Sequence, residues 1–347
     1  MRSRTFFWRK NMEENYSKPF KTYEEQLKIL KNRYKLNISD NKFALKLLKT
    51  VSYYDLINGS KECFFKENEE IFEEGVDINH LFSFKILDRN IQNILFKYSV
   101  YVENTFKTNL AYTLAKNYGI EIEKYLDENN FKIFSNSDRM DKRNKTLEII
   151  KEAQFLENNP TFHYKKNHNH IPPWILFKNV NFTDSIDLFT FFKRKDKLEI
   201  VKEYFKQDIQ NNEADEMIEL LKTTISIVRK FRNKIAHNAK VITYKTENRI
   251  ILRNLIPNIP SNFIYRTDYR NNIGINDLFA MISSLILLLN NDVLALHLSQ
   301  ELRVVFDTTN PLNALLIEKY KKVTNLPNDI EKRLDKLIIE FNKRLDI

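Results

Sequence analysis

The chain has 347 residues, 42% of them hydrophobic and 29% charged, with a formal charge of +10 at pH 7; that is enough apolar side chain for one large or two ordinary domains. Four glycines are too few for a phosphate-cradling loop or a β-rich fold, and one cysteine excludes a disulfide framework or a thiolate zinc site. The apolar run at 285–289 stops at Asn290, Asn291 and Asp292, well short of the ~18 residues a bilayer requires, so no membrane segment and a cytoplasmic location are expected.

In chain order, residues 1–17 are basic and aromatic without the apolar centre of a secretory signal, and are expected to be an extension. Leu27, Leu30 and Tyr34 keep helical spacing after Thr22 and Glu25, a capping-box pair. Asp40 is expected to cap a second helix carrying Phe43, Leu47, Val51 and Tyr54 as far as Asn58-Gly59, with Tyr53 and Tyr54 in the core. A long helix is predicted over 78–118, with Leu81, Phe84, Ile91, Leu95 and Tyr98 inward and a stop at Gly119. Another over 136–156 bears Arg139, Lys142 and Arg143, a basic face able to track phosphates. Pro160, Pro172 and Pro173 then break the pattern. His163, His168 and His170 fall in this break, but no carboxylate or thiolate set accompanies them, so no metal or other cofactor is expected. Trp174 and Phe177 are expected to anchor the segment to the core, and a helix is predicted over 186–205.

Residues 214–240 form the most informative stretch. Met217, Leu221, Ile225, Val228, Phe231 and Ile235 recur at steps of three and four, one buried stripe of a helix. At about 100° per residue, Asn233 and His237 lie about 40° apart on the opposite, outward face, with Arg232 beside them. Beyond it, VITYKTENRIIL suggests a small hairpin, and YRTDYRNN interleaves Tyr265, Arg266, Tyr269 and Arg270 in a way that suits RNA bases and phosphates. An apolar helix is predicted over 276–302, and two charged helices split by Pro327 over 311–345.

A group with a near-neutral pKa, a fixed cation and an amide suit phosphodiester cleavage in RNA, where the 2′-hydroxyl is the nucleophile. The +10 charge favours a polyanionic partner. As a bare pattern the spacing is weakly specific, since Arg and His near a helix C-terminus also complement its dipole.

RNKIAH at 232–237 resembles the signature of the HEPN superfamily of helical RNases. Three further stretches resemble its Abi-like (AbiD/AbiF) branch: KPFKTYEEQLKILKNRYKLNISD at 18–40, VSYYDLINGSKECFF at 51–65 and IPPWILFKNVNFTDSIDLFTFF at 171–192. The resemblance spans 18–300 and implies an all-α protein, with an N-terminal extension over 1–17, a helical region over 18–77, a HEPN core over 78–303 and a helical tail over 304–347. It implies a metal-independent endoribonuclease acting as a toxin-like effector in abortive infection or a toxin–antitoxin system, held by a structured noncoding RNA and working as a homodimer. Arg232, Asn233 and His237 take the catalytic positions, and Glu103 occupies the acidic position of an earlier core helix. Lys234, Lys240, Arg139, Lys142, Arg143, Arg266 and Arg270 are the expected RNA contacts. The competing expectation is a non-catalytic HEPN module that binds RNA or protein through the same patch.

Overall fold

Side-chain caps set where several helices of this chain begin. The computed structural model describes residues 18–168, 170–205, 213–260 and 263–346, so the extension expected over 1–17 lies outside the described residues. Among the described residues there are eighteen α-helices and no strand; extended pairing is limited to isolated bridges such as Phe131 with Phe192. The protein is all-α, as expected. It divides into two compact units, 1–83 and 84–347.

In the first unit, α1 (Tyr23–Asn32) starts at the Thr22/Glu25 capping box, and α2 (Asn41–Val51) starts where the Asp40 carboxylate accepts from the Lys42 and Phe43 N–H groups at 2.8 and 3.0 Å. The helix expected to continue to Asn58 breaks at Ser52, which has φ +73° and caps α3 (Tyr53–Asn58) through the Asp55 N–H at 3.2 Å. A serine hydroxyl that binds nearby backbone competes with helix continuation. The break turns Leu56 and Ile57 inward and leaves Tyr54, expected in the core, 70% exposed. A short α4 (Lys61–Phe64) follows.

Asp77 accepts from the Asn79 and His80 N–H groups at 2.9 and 3.0 Å to start α5 (Ile78–Tyr118). Its 41 residues span about 60 Å and stop at Gly119, whose φ of +90° suits glycine. After α6 (Ile122–Tyr125), Asn136 caps α7 (Ser137–Glu152). The proline-rich segment holds two short helices, α8 (Thr161–Asn167) and α9 (Pro173–Leu176). Here Phe177 is buried, but Trp174 is 49% exposed and does not act as the expected anchor.

The single helix expected over 186–205 is two, α10 (Phe182–Phe191) and α11 (Arg194–Tyr204). The Lys132 N–H donates to the Phe191 carbonyl at 2.8 Å and Phe192 bridges to Phe131, so extended backbone replaces a helical turn. The motif helix α12 (Ala214–Ala236) packs its apolar stripe against α10, α11 and α15. Phe231, Val228, Ile225 and Leu221 are fully buried there, each worth about 1.5–3 kcal/mol.

The hairpin expected after 241 is absent, because Thr246 and Ile250 donate to Asn276 and Ile275 at 2.8 and 2.9 Å rather than pairing with each other. Residues 241–251 run as turns and irregular backbone instead, and two short helices, α13 (Leu252–Leu255) and α14 (Arg266–Arg270), follow. The apolar helix expected over 276–302 is interrupted at Asn290 (φ +44°), giving α15 (Leu278–Leu288) and α16 (Asp292–Val305), the latter capped by Asn291. The tail forms α17 (Pro311–Thr324) and α18 (Ile330–Arg344) on either side of Pro327, as expected, and α18 packs along α16. No described helix is long and apolar enough to cross a membrane.

Candidate functional site

The C-terminal turn of α12 and the middle of α5 together build the site. Arg232 reaches across to α5, where its Nη2 lies 3.3 Å from Oε2 of Glu103. Its Nη1 donates to Asn233 Oδ1 at 3.1 Å, and the guanidinium carbon stands 5.8 Å from the centre of the Phe96 ring. The Nε atom is buried without a hydrogen-bond partner. Held on two sides and against an aromatic ring, the planar cation has a fixed orientation.

The same Glu103 accepts from Lys107 one turn along α5, at 2.7 Å. Both members of the Glu103–Lys107 pair are about 15% exposed, so solvent screens them little. The next residue, Asn104, accepts from Lys178 at 3.2 Å. Two cations, Arg232 and Lys107, therefore share the Glu103 carboxylate, and Lys178 binds the neighbouring Asn104, which leaves an excess of positive charge suited to a phosphate. Lys107, Lys178 and Phe96 were missed at the sequence level, because nothing in local spacing links 96–107 or 178 to 232. Glu103, a carboxylate able to orient His237 or to pair with Arg232, takes the second partner.

Arginine only donates, so the Asn233 oxygen must face Arg232 and its NH2 group points elsewhere. His237 follows as the C-cap of α12, with φ −90° and ψ 14°, and its own N–H donates to the Asn233 carbonyl at 3.1 Å. It is exposed, and among the described residues its imidazole has no hydrogen-bond partner. One turn of helix thus carries a locked cation and an open imidazole, with an amide between them.

What fixes His237 is its backbone. Asn238 is left-handed (φ +53°), and the Asn238 and Ala239 N–H groups donate to Ile235 and Lys234 at 3.0 and 2.9 Å, a Schellman stop. Arg89 of α5 donates to the Asn238 side chain. Arg89 also donates to Gln92 at 3.3 Å, Gln92 to Asp88 at 2.7 Å, and Tyr320 of α17 to Asp88 at 3.3 Å. Burial pushes the Asp88 carboxyl above its ordinary value, against the hydrogen bond from Gln92 and the charge of Lys85. Arg89 and Asn238 carry no sequence signal of this clamp, which joins positions 149 apart.

The remaining expected residues are scattered. Lys234 lies 4.3 Å over the Tyr244 ring, and Lys240 is half-buried beyond the helix end. Arg139 is exposed, 4.4 Å over Phe134, while Lys142 pairs with Asp187 at 2.8 Å. Arg143 is withdrawn from the RNA-facing set: it is 1% exposed, and its guanidinium bonds Asn144, Glu128 and the Lys132 carbonyl. Arg266 and Arg270 line a different cleft, together with Tyr269. His168 and His170 line a cleft of about 560 Å³ that also holds Glu121, Glu123 and Lys165. Among the described residues no group of three His, Cys, Asp or Glu has metal-binding geometry.

Comparison with known proteins finds one family: the model described as Abi-like protein matches residues 46–243, more than half of the chain. No curated protein and no solved structure matches it.

Proposed function

For a chain that belongs to the Abi-like protein family, we propose that the end of α12 is the cleavage site of a metal-independent endoribonuclease, acting as the effector of an abortive-infection or toxin–antitoxin system. The family itself suggests a function of the abortive-infection type. The observation that carries the finer reading is the division of roles within one turn: Arg232 is anchored by Glu103 and Asn233, while His237 is exposed and unbonded.

In this reading His237 takes the proton of a ribose 2′-hydroxyl. The 2′-oxygen attacks the adjacent phosphorus and the 5′-oxygen leaves, giving a 2′,3′-cyclic phosphate and a 5′-hydroxyl end. Arg232 stabilises the negative charge that builds on the phosphoryl oxygens, and the Asn233 NH2 donates to the same group. Protonating the leaving oxygen calls for a second acid. A second copy of this chain, paired about a two-fold axis, would supply its His237 for that step. A structured noncoding RNA that occupies the site would hold the nuclease in check.

Incubating the purified chain with end-labelled RNA, alongside His237→Ala, tests the reading. Cleavage by the wild type alone, with cyclic phosphate ends, is the expected result. Undiminished cleavage by His237→Ala, or 3′-hydroxyl products, would falsify it. The ion pair that occupies Arg232 also favours a second reading, a non-catalytic RNA-binding module. That reading predicts RNA retention by the wild type without cleavage, and loss of retention on Arg232→Ala.

A further inference from the structure

A cleft of about 410 Å³ lies among α13, the turn that follows it, and α14. Its volume falls in the range of small-molecule sites. Ile251, Ile256 and Pro257 give it apolar lining, and Tyr269 adds an aromatic ring. Ile251 and Tyr269 are 49% and 45% exposed, so each presents a free face. Arg253, Arg266 and Arg270 complete the lining.

The three arginines are not equivalent. Arg253 is already tied to Glu216, in the first turn of α12, at 3.0 Å. Arg266 and Arg270 stand one turn apart on α14, on one face, and among the described residues neither has an ion-pair or hydrogen-bond partner. The acidic residue between them, Asp268, is buried and bonded to Arg333 at 2.5 and 3.0 Å, so it does not neutralise them. Two unpaired guanidinium groups beside apolar and aromatic surface match a ligand with an anionic end and a flat ring. Guanidinium forks bind phosphate oxygens in pairs, and a nucleobase stacks on tyrosine whatever its identity. An acidic peptide would satisfy the arginines but leave the ring and the apolar lining unused.

We propose that this cleft binds a nucleoside phosphate, with Arg266 and Arg270 on the phosphate and Tyr269 and Ile251 against the base. The ligand is either a free nucleotide or the phosphorylated terminal nucleotide of an RNA. This site is independent of the cleavage reading, since none of the α12 motif residues lines it.

The test is calorimetric titration of the full chain with AMP, ATP, adenosine and inorganic phosphate, with 5′-phosphorylated and 5′-hydroxyl RNA of one sequence titrated into His237→Ala to prevent turnover. Saturable binding of AMP or ATP, stronger than that of adenosine or of phosphate alone, is expected. Arg266→Gln/Arg270→Gln is expected to weaken it at least about tenfold, and Tyr269→Ala about tenfold, with melting curves unchanged because all three side chains are exposed. Preference for 5′-phosphorylated RNA over AMP identifies an RNA end as the ligand; the reverse order identifies a free nucleotide. No binding of either form, binding untouched by the arginine variants, or phosphate binding as tightly as AMP would overturn the proposal. The outcome does not depend on whether the chain cleaves RNA, which is scored separately with wild type and His237→Ala.

Discussion

Two histidine-bearing regions of the second unit invite comparison, the end of α12 and the segment 163–170. In the segment two of the contacts are local: Asn167 bonds His163 at 3.1 Å, and the His168 ring lies tilted 4.6 Å from that of Tyr164, each pair four residues apart. At the end of α12 the contacts are long-range, Arg232 to Glu103 and Asn238 to Arg89. A polar cluster made within one short helix is a by-product of helical spacing. One assembled from two long helices with packed backbones holds its groups in a set geometry, which catalysis requires. On the proposed reading, abundance of histidine does not mark the cleavage site; anchoring of the neighbouring residues by a second long helix does.

The sharpest way to break that contrast is to remove one imidazole from each region. His237→Ala is expected to lower RNA cleavage about 10²–10⁴-fold, whereas His163→Ala and His168→Ala stay within about twofold of wild type and a chelator has no effect. A loss at the segment equal to that at α12, measured on the same labelled RNA, would show that the segment serves cleavage as much as α12 does.

Arg232→Lys tests the locked cation next. Lysine keeps the charge but cannot reach Glu103 and Asn233 together with a planar fork, so a loss of about 10²-fold in kcat is expected; near-wild-type turnover would show that charge alone matters. Glu103→Gln should cost about tenfold in cleavage by loosening Arg232, and about 1–2 kcal/mol of stability, since the pair is mostly sheltered. An unchanged melting curve together with unchanged kinetics would remove Glu103 from the site.

The clamp behind His237 gives a smaller effect. Asn238→Gly preserves the left-handed turn but loses the contact with Arg89. A decrease of a few fold in cleavage, matched by Arg89→Ala and not additive with it, is expected from a double-mutant cycle. Full additivity would separate the two residues.

The smallest effect concerns Asp88 beneath that clamp. Its carboxyl sits above the ordinary value in the folded state, so folding favours the protonated form and stability falls as pH rises from the unfolded value through the folded one. Asp88→Asn removes the charge, and its amide can accept from Gln92 and donate to Tyr320. The variant should melt slightly above wild type at neutral pH and level with it in acid. A lower melting point at neutral pH would mean that the ionised carboxylate is stabilised by its neighbours.

Much of this was legible in the chain itself, where the cause is local. The capping box at Thr22, the stop at Gly119, the stripe through Leu221 and Phe231, and the split at Pro327 all depend on residues within a turn or two of each other. The same locality put Arg232, Asn233 and His237 at one helix end. Only the tertiary structure decided the rest. It broke helices at Ser52, Phe192 and Asn290, buried Arg143, exposed Tyr54 and Trp174, and brought Phe96 and Arg89 to the motif. At Phe192 and Asn290 a backbone group far along the chain competes with the local preference, while at Ser52 a local hydroxyl cap does so, and helical periodicity carries no record of either.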